Sequence, residues 1–203
     1  MRASGALIQD LGQGAWLAYA LSFVAREAEL DARLRASLPL AQEPLRIGAG
    51  EVLTPRLTSY HGDPGCAYRY SGRTFEPRPW GEELASLRTQ LQELSGVRFT
   101  AALVNVYRDG RDAMGWHADD ERELGPAAPH DVLVASVSLG AKRRFVLRHR
   151  RQTARKVELS LGGGDLLLMG GATQHRWQHC VPRTAKPVGA RTNLTFRIVA
   201  AQG

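Results

Sequence analysis

Residues 105–120 read Asn-Val-Tyr-Arg-Asp-Gly-Arg-Asp-Ala-Met-Gly-Trp-His-Ala-Asp-Asp, and they place His117 and Asp119 one residue apart. Side chains at i and i+2 of an extended segment point to the same face, so this imidazole and this carboxylate can hold one ion. They supply two members of the 2-His-1-carboxylate triad of non-haem iron sites. A His-x-Asp triplet also occurs by chance in many chains. The pattern therefore needs a third ligand, and we expect it from a different strand.

The segments after residue 98 are short, β-rich and separated by turn residues, which predicts strands. Helices followed by a run of strands are typical of an α+β protein. We therefore predict a mainly β fold in which residues 99–200 form a sandwich or jelly roll and residues 1–98 an N-terminal helical region. The expected strands are Phe99–Arg108, Asp131–Leu139, Arg144–Arg148, Lys156–Leu161, Asp165–Met169 and Arg191–Val199.

Two helices are expected before these strands. Apolar residues recur at roughly helical spacing over Ala15–Leu38, and Pro39 ends the pattern. A second helix is opened by Pro79 and closed by Gly96. The segment Pro44–Thr58 is broken by glycines and predicts a hairpin or a loop. The apolar stripe of the second helix comprises Trp80, Leu84, Leu87, Leu91 and Leu94.

The composition is that of a soluble globular protein, which we interpret as one domain over residues 1–203. Of the 203 residues, 43% are hydrophobic and 23% are charged. The net charge of +7 indicates a polyanionic partner, although a genomic bias towards arginine produces the same excess. The apolar run of residues 15–25 is too short to cross a bilayer, so we expect no membrane segment.

Only two cysteines are present, Cys66 and Cys180. They are too few for a four-thiolate zinc site or a disulfide framework, so we expect the cytoplasm or another reducing intracellular compartment. The role of Cys180 stays open at this point.

Spacing alone does not choose the third metal ligand among His130, His149, His175 and His179. Three motifs taken together do resemble a known family: His117-Ala-Asp119-Asp-Glu121, Trp177-Gln-His179-Cys-Val-Pro182 and Arg191-x-Asn193-Leu-Thr-Phe-Arg197. In order and spacing, from Pro55 to Val199, the chain resembles the AlkB family of Fe(II)- and 2-oxoglutarate-dependent dioxygenases. It resembles most the branch with an acidic pair after the first ligands.

The resemblance implies a double-stranded β-helix (jelly-roll) core, a nucleotide-recognition lid in the N-terminal region, and Fe(II) held by His117, Asp119 and His179 rather than His175. It also implies 2-oxoglutarate and O2 as cosubstrates. Residues matching the 2-oxoglutarate-binding positions of the family are Arg191, Arg197, Asn105 and Tyr107, with Asn193 of the same motif.

The two arginines of the last motif indicate an anion-binding site independently of the resemblance. Arg191 and Arg197 lie six residues apart on one predicted strand, so they share a face. A buried arginine pair is costly unless an anion meets it, and the guanidinium fork suits a carboxylate. The alternative is a pair of surface arginines on an edge strand.

The reaction that the resemblance implies is oxidative demethylation of N-alkylated bases in DNA, such as 1-methyladenine and 3-methylcytosine. 2-Oxoglutarate is converted to succinate and carbon dioxide, and the methyl group leaves as formaldehyde. The alternatives are a 2-oxoglutarate-dependent hydroxylase of a protein or small molecule, and a nucleic-acid-binding relative that has lost its chemistry.

Four residues are candidates for contacts with the base. An aromatic pocket receives a base that has left its stack, and Tyr70 is the expected stacking residue opposite His117, with Tyr68 on the same face. Asp120 and Glu121 are expected to accept hydrogen bonds from an exocyclic amine. The alternatives are tyrosines that pack in the core and a solvated acidic turn.

Residues 142–156 contain eight lysines and arginines in fifteen positions. As a hairpin they would form a basic flap for backbone phosphates, with a solvated face as the alternative. The expected phosphate contacts are Arg148, Arg150, Arg151, Arg155 and Arg183.

The segment Arg46–Thr54 contains no aromatic residue, whereas duplex-acting members of the family carry an aromatic wedge there. We therefore expect methylated single-stranded DNA as the preferred substrate, with RNA as the alternative. Separately, we expect a monomeric protein.

Overall fold

The computed structural model describes residues 7–47, 50–70, 73–124 and 130–201. Three α-helices lie within them, α1 (Glu27–Ser37), α2 (Glu82–Ser95) and α3 (Thr173–Arg176), together with a 3-10 turn at Arg122–Leu124. The strands are β1 (Leu7–Gly12), β2 (Ala15–Ala20), β3 (Pro44–Ile47), β4 (Gly50–Leu53), β5 (Leu57–Gly62), β6 (Tyr68–Tyr70), β7 (Arg73–Phe75), β8 (Ala101–Tyr107), β9 (Met114–His117), β10 (Val134–Gly140), β11 (Arg143–His149), β12 (Lys156–Leu161), β13 (Asp165–Gly171), β14 (Trp177–Val181) and β15 (Arg191–Arg197).

Two antiparallel sheets form the core. The large sheet has the order β1-β2-β13-β10-β15-β8-β5, and the small sheet has the order β12-β11-β14-β9. From β8 to β15 the chain passes repeatedly between the two sheets, which is the topology of a double-stranded β-helix. The predicted jelly roll is confirmed, and the six predicted strands lie within two or three residues of their expected ends.

The predicted second helix is confirmed as α2, which covers the outer face of the large sheet. Its buried residues are Leu84, Leu87 and Leu91, and it ends at Gly96, whose φ of 72° is the left-handed conformation that glycine adopts without strain. Leu30 and Leu34 of α1 join the same apolar cluster. These leucines pack against one face of β15, so the side chains on its other face point into the space between the two sheets.

The predicted helix over Ala15–Leu38 is wrong in its first half. Residues Ala15–Ala20 form β2, which pairs with β1 on one side and with β13 on the other. The segment Gly12-Gln13-Gly14 between β1 and β2 has positive φ at all three residues, which makes a tight hairpin turn. Only α1 remains of the predicted helix, and the N-terminal region therefore contributes strands to the large sheet.

The segment Pro44–Thr58 contains the hairpin of β3 and β4, followed by the start of β5. Strands β6 and β7 form a second hairpin, in which Tyr68 pairs with Phe75 and Tyr70 with Arg73. The side chains of Tyr68 and Tyr70 lie outside the part of the structure that is described, so their predicted contacts with a base remain a prediction. Among the described residues, no helix has the length and apolar character required to cross a membrane.

The Gly170–Trp16 pair tests the corrected N-terminal topology. These residues face each other across β13 and β2, and a Cβ added to Gly170 would lie 2.0 Å from the Trp16 ring. We expect Gly170→Ala to lower the free energy of unfolding by about 1–3 kcal/mol, because the close-packed ring has to move. Denaturant unfolding measures this change. Gly189→Ala is the control, since its Cβ would make only an ordinary contact at 3.6 Å, and equal stabilities of the two variants would contradict the pairing.

Candidate active site

Strands β9 and β14 bring three candidate ligands together inside the core. His117 pairs with His179 across these strands, and Asp119 follows two residues after His117. The candidate ligand atoms of the three residues lie within 4.8 Å of one another. His179 Nε2 lies 3.7 Å from Asp119 Oδ2, and the two imidazole ring centroids are 4.2 Å apart. An ion between them would meet two nitrogens and one carboxylate.

The protonation states of these residues suit a divalent metal. Burial, together with the neighbouring His117 and against the opposing charge of Asp119, lowers the pKa of His179 to about 3. Burial also lowers the pKa of His117. Burial disfavours the Asp119 carboxylate, but Arg197 and the two histidines outweigh this effect, so its pKa is lowered. At neutral pH the cluster therefore holds two neutral imidazoles and a carboxylate, the forms that bind a metal.

Gln174 of α3 positions the loop that carries Asp119. Its side chain is fully buried, and its Oε1 accepts a hydrogen bond of 3.0 Å from the backbone N–H of Asp119. His117 Nδ1 lies 2.9 Å from the carbonyl oxygen of Gly115, which orients the ring with Nε2 towards the cluster. Gln174 cannot be identified from the sequence alone, because a contact across 55 residues leaves no local pattern.

The other histidines lie elsewhere. His175 stacks against His130, with ring centroids 4.0 Å apart. His149 packs against Trp177, and its Nδ1 accepts hydrogen bonds from the backbone of the following turn. Within the described part of the chain, His117, Asp119 and His179 are the only three such residues grouped closely enough for a metal.

Strand β15 presents alternate residues to the same cavity. It lies between β10 and β8, so its arginines are not on a sheet edge. Arg191 is fully buried, and its Nη2 donates a 2.7 Å hydrogen bond to Ser138 Oγ. Its Nε and Nη1 have no hydrogen-bond partner among the described residues. The guanidinium lies 5.4 Å from the centre of the Tyr107 ring, and burial lowers the pKa of Arg191.

Arg197 differs from Arg191 because the protein itself supplies its counterions. Its Nη2 makes an ion pair with Asp119, and its Nη1 lies 3.9 Å from Glu121. Arg197 thus holds the carboxylate of the candidate metal ligand in place. Arg191, by contrast, is a fully buried cation for which the described residues offer no carboxylate within ion-pair distance.

The side-chain amides of Asn193 and Asn105, which line the same cavity, are held in place by hydrogen bonds. Asn193 Nδ2 donates to Ser136 Oγ at 2.7 Å and to the carbonyl of Val137. Asn105 Oδ1 accepts a 2.6 Å hydrogen bond from Nε of Arg56, a buried arginine immediately before β5. No local pattern in the sequence indicates this role for Arg56. Its buried contact with Asn105 extends the polar wall of the cavity towards the N-terminal hairpins.

The buried polar atoms test whether this site fits a metal and an anion. Both carboxylate oxygens of Asp119 are buried without a hydrogen bond, apart from the ion pair with Arg197. A divalent metal at the triad would satisfy them, and a carboxylate would satisfy Arg191. The donor set therefore fits Fe(II) together with a carboxylate cosubstrate.

Comparison with known proteins agrees with this geometry. The sequence profile of the 2OG-Fe(II) oxygenase superfamily matches residues 21–197. The chain belongs to this superfamily. Relatives include the mouse protein named DNA oxidative demethylase ALKBH2, with 42% identity over 150 residues, covering 70% of this chain and 61% of the relative. The human alpha-ketoglutarate-dependent dioxygenase alkB homolog 3 is 39% identical over 166 residues, covering 76% of this chain and 56% of the relative.

Both curated relatives are longer, since the chain spans about three-fifths of their length. The solved structure of OsALKBH1 superposes with a TM-score of 0.67 at 18% identity, covering 95% of this chain and 100% of that one. At this identity the likeness concerns the oxygenase fold alone. The AlkB resemblance read from the motifs is confirmed by the superfamily match and the curated relatives.

The acidic residues beside the oxygenase triad are engaged within the protein. Asp120 makes an ion pair with Nη2 of Arg150, which also donates to the carbonyl of Gln174 at 3.2 Å. Glu121 is half-buried near Arg197, and burial raises its pKa against the opposing charge of that arginine. Asp120 and Glu121 therefore do not form a merely solvated acidic turn. Arg150, which was predicted to contact a phosphate, is paired with Asp120, which was predicted to contact the base.

The predicted basic hairpin is formed by β11 and β12, but its charges do not all face solvent. Arg143 is buried and donates to the carbonyls of Asp109, Asp112 and Pro182, so it is a structural residue and not part of a flap. Arg155 donates to the carbonyl of Leu11. Arg151 and Arg183 are exposed. The phosphate contacts proposed for these arginines remain predictions.

Replacement of Gln174 tests its contact with the Asp119 loop. Gln174→Leu removes the acceptor for the Asp119 N–H, so we expect the affinity for Fe(II) under anaerobic conditions to fall about tenfold or more, as for other residues that orient metal ligands. Gln90→Leu on the exposed side of α2 is the matched control and should bind Fe(II) as the parent does. Equal affinities of the Gln174→Leu variant and the parent would show that the contact does not position the ligand.

Proposed function

We propose that the protein catalyses Fe(II)- and 2-oxoglutarate-dependent oxidative demethylation of N-alkylated bases in DNA, such as 1-methyladenine and 3-methylcytosine. The observation that carries the proposal is the fully buried Arg191, which has unsatisfied donors in the core beside the His-Asp-His cluster. The curated relatives named as DNA oxidative demethylases support the choice of substrate.

In this proposal His117, Asp119 and His179 hold Fe(II), and Arg191 binds the far carboxylate of 2-oxoglutarate through its free donors. Tyr107 packs against that guanidinium, and Asn105 and Asn193 line the cavity between the two ends. Arg197 keeps Asp119 ionised and in place. When bound, the iron and its cosubstrates supply the oxidising chemistry that hydroxylates the N-methyl carbon, and the hydroxymethyl group then leaves as formaldehyde.

A second pocket next to the metal cavity supports access for a base. It has a volume of about 340 Å³ and is lined by Arg56, Tyr60, Phe75 and Arg78, among others. Leu103 lines both this pocket and the metal cavity, so the two are neighbours. A base that has left its stack reaches such a pocket most readily from a single strand. We propose single-stranded DNA as the preferred substrate, with Tyr70 as the residue that stacks on the base and Tyr68 as a further contact on the same face. We also propose a cytoplasmic monomer as the working form.

Formaldehyde release from methylated oligonucleotides, with Fe(II), 2-oxoglutarate and O2, tests the proposed reaction. We expect equal amounts of succinate and formaldehyde from the parent and no detectable product from Asp119→Ala, because the triad loses its only carboxylate. Glu93→Ala removes an exposed carboxylate on α2 and should behave as the parent.

The same assay separates the alternatives. Succinate without formaldehyde on every methylated oligonucleotide would refute demethylation and favour a hydroxylase of another substrate. Faster turnover of a duplex than of the matching single strand would contradict the proposed strand preference while leaving the chemistry intact.

A further inference from the structure

Trp116 lies on the side of the small sheet that faces away from the metal cavity. Neighbouring residues of a strand point to opposite faces, so His117 points inwards and Trp116 outwards from β9. Among the described strands, β9 is the last of its sheet. Trp116 is 36% exposed, and it is the most exposed Phe, Trp or Tyr among those whose side chains the structure describes.

Arg148 covers part of the Trp116 ring. Its guanidinium carbon lies 4.1 Å from the ring centroid, and its Nη2 donates a 3.2 Å hydrogen bond to Gln178 Oε1 on β14. No carboxylate of the described residues lies within ion-pair distance of Arg148 or of its cross-strand neighbour Lys156. By contrast, Arg144 on the same face is paired with Glu158. The charge beside Trp116 is therefore available to an anion.

An exposed aromatic ring beside an uncompensated guanidinium is the combination that binds single-stranded nucleic acid. Bases stack on the ring or on the guanidinium plane, and the charge attracts the backbone phosphates. A surface arginine on a tryptophan can also serve solubility alone. The position of the Trp116–Arg148 pair favours nucleic-acid binding, because Trp116 is the residue next to a candidate metal ligand. The exposed Arg151 also lies nearby in sequence, in the turn that follows β11.

We propose that Trp116 and Arg148 form an outer nucleotide-binding site, which stacks a base of the substrate strand next to the base held in the metal cavity. The DNA strand would pass around the β9 edge of the small sheet, between the cavity on one face and this site on the other. The proposal rests on a nucleic-acid substrate, as in the proposed function, and it adds a second contact outside the catalytic cavity.

Binding of an unmethylated single-stranded DNA oligonucleotide tests the outer site without catalysis. We expect Trp116→Leu and Arg148→Gln each to weaken binding about 5- to 100-fold, the loss associated with one stacked base. Trp116→Phe retains a ring and should bind within about threefold of the parent. Tryptophan fluorescence of the parent should be quenched by the oligonucleotide, and most of this quenching should be absent in Trp116→Phe.

Arg26→Gln is the matched control, because it removes one exposed positive charge before α1, and it should bind as the parent does. Parent-like binding by both Trp116→Leu and Arg148→Gln would overturn the outer site, as would a parent that binds no oligonucleotide. If the parent binds the oligonucleotide through Trp116 but releases no formaldehyde from methylated strands, the outer site stands and the proposed function fails. If the parent demethylates and the variants bind normally, the proposed function stands and the outer site fails.

Discussion

The burial of positive charge on β15 is the constraint on which the site depends. A guanidinium in the core of a sheet is costly unless an anion compensates for it. Arg197 obtains that anion from Asp119, and the contact holds the carboxylate where the two imidazoles converge. Arg191 obtains no carboxylate from the described residues. Arg191 is therefore a buried cation that a ligand can compensate, and a carboxylate cosubstrate would do so.

The architecture explains how residues distant in sequence reach this cavity. Alternation along β15 sends Leu194 and Phe196 to the helix-covered face and the arginines to the interior. Pairing of β9 with β14 sets His117 opposite His179. Gln174 and Arg150 then connect the metal-ligand loop to the protein surface, since Arg150 contacts both Asp120 and the Gln174 carbonyl. Phosphate binding at Arg150 would compete with Asp120 for the same guanidinium.

Much of the fold and of the candidate site was predictable from the sequence, because both depend largely on local patterns. The strands have β-rich runs between turns, and α2 has an apolar stripe closed by Gly96. The first half of the predicted Ala15–Leu38 helix was wrong because a short apolar run fits a buried strand as well as a helix. The glycines of the turn at Gly12-Gln13-Gly14 are the sequence feature that indicates a hairpin there. The roles of Arg56, Gln174 and Arg143 were not predictable, since each depends on a partner far away in the chain.

The most direct test of the central claim is an anaerobic calorimetric titration of 2-oxoglutarate into the Fe(II)-loaded parent and into Arg191→Gln. The variant replaces the buried cation with a neutral side chain and leaves the triad unchanged. If Arg191 is the cation reserved for the cosubstrate, the parent binds 2-oxoglutarate and the variant binds it at least about tenfold more weakly, while both retain Fe(II). Equal affinity of the two proteins for 2-oxoglutarate would contradict this account.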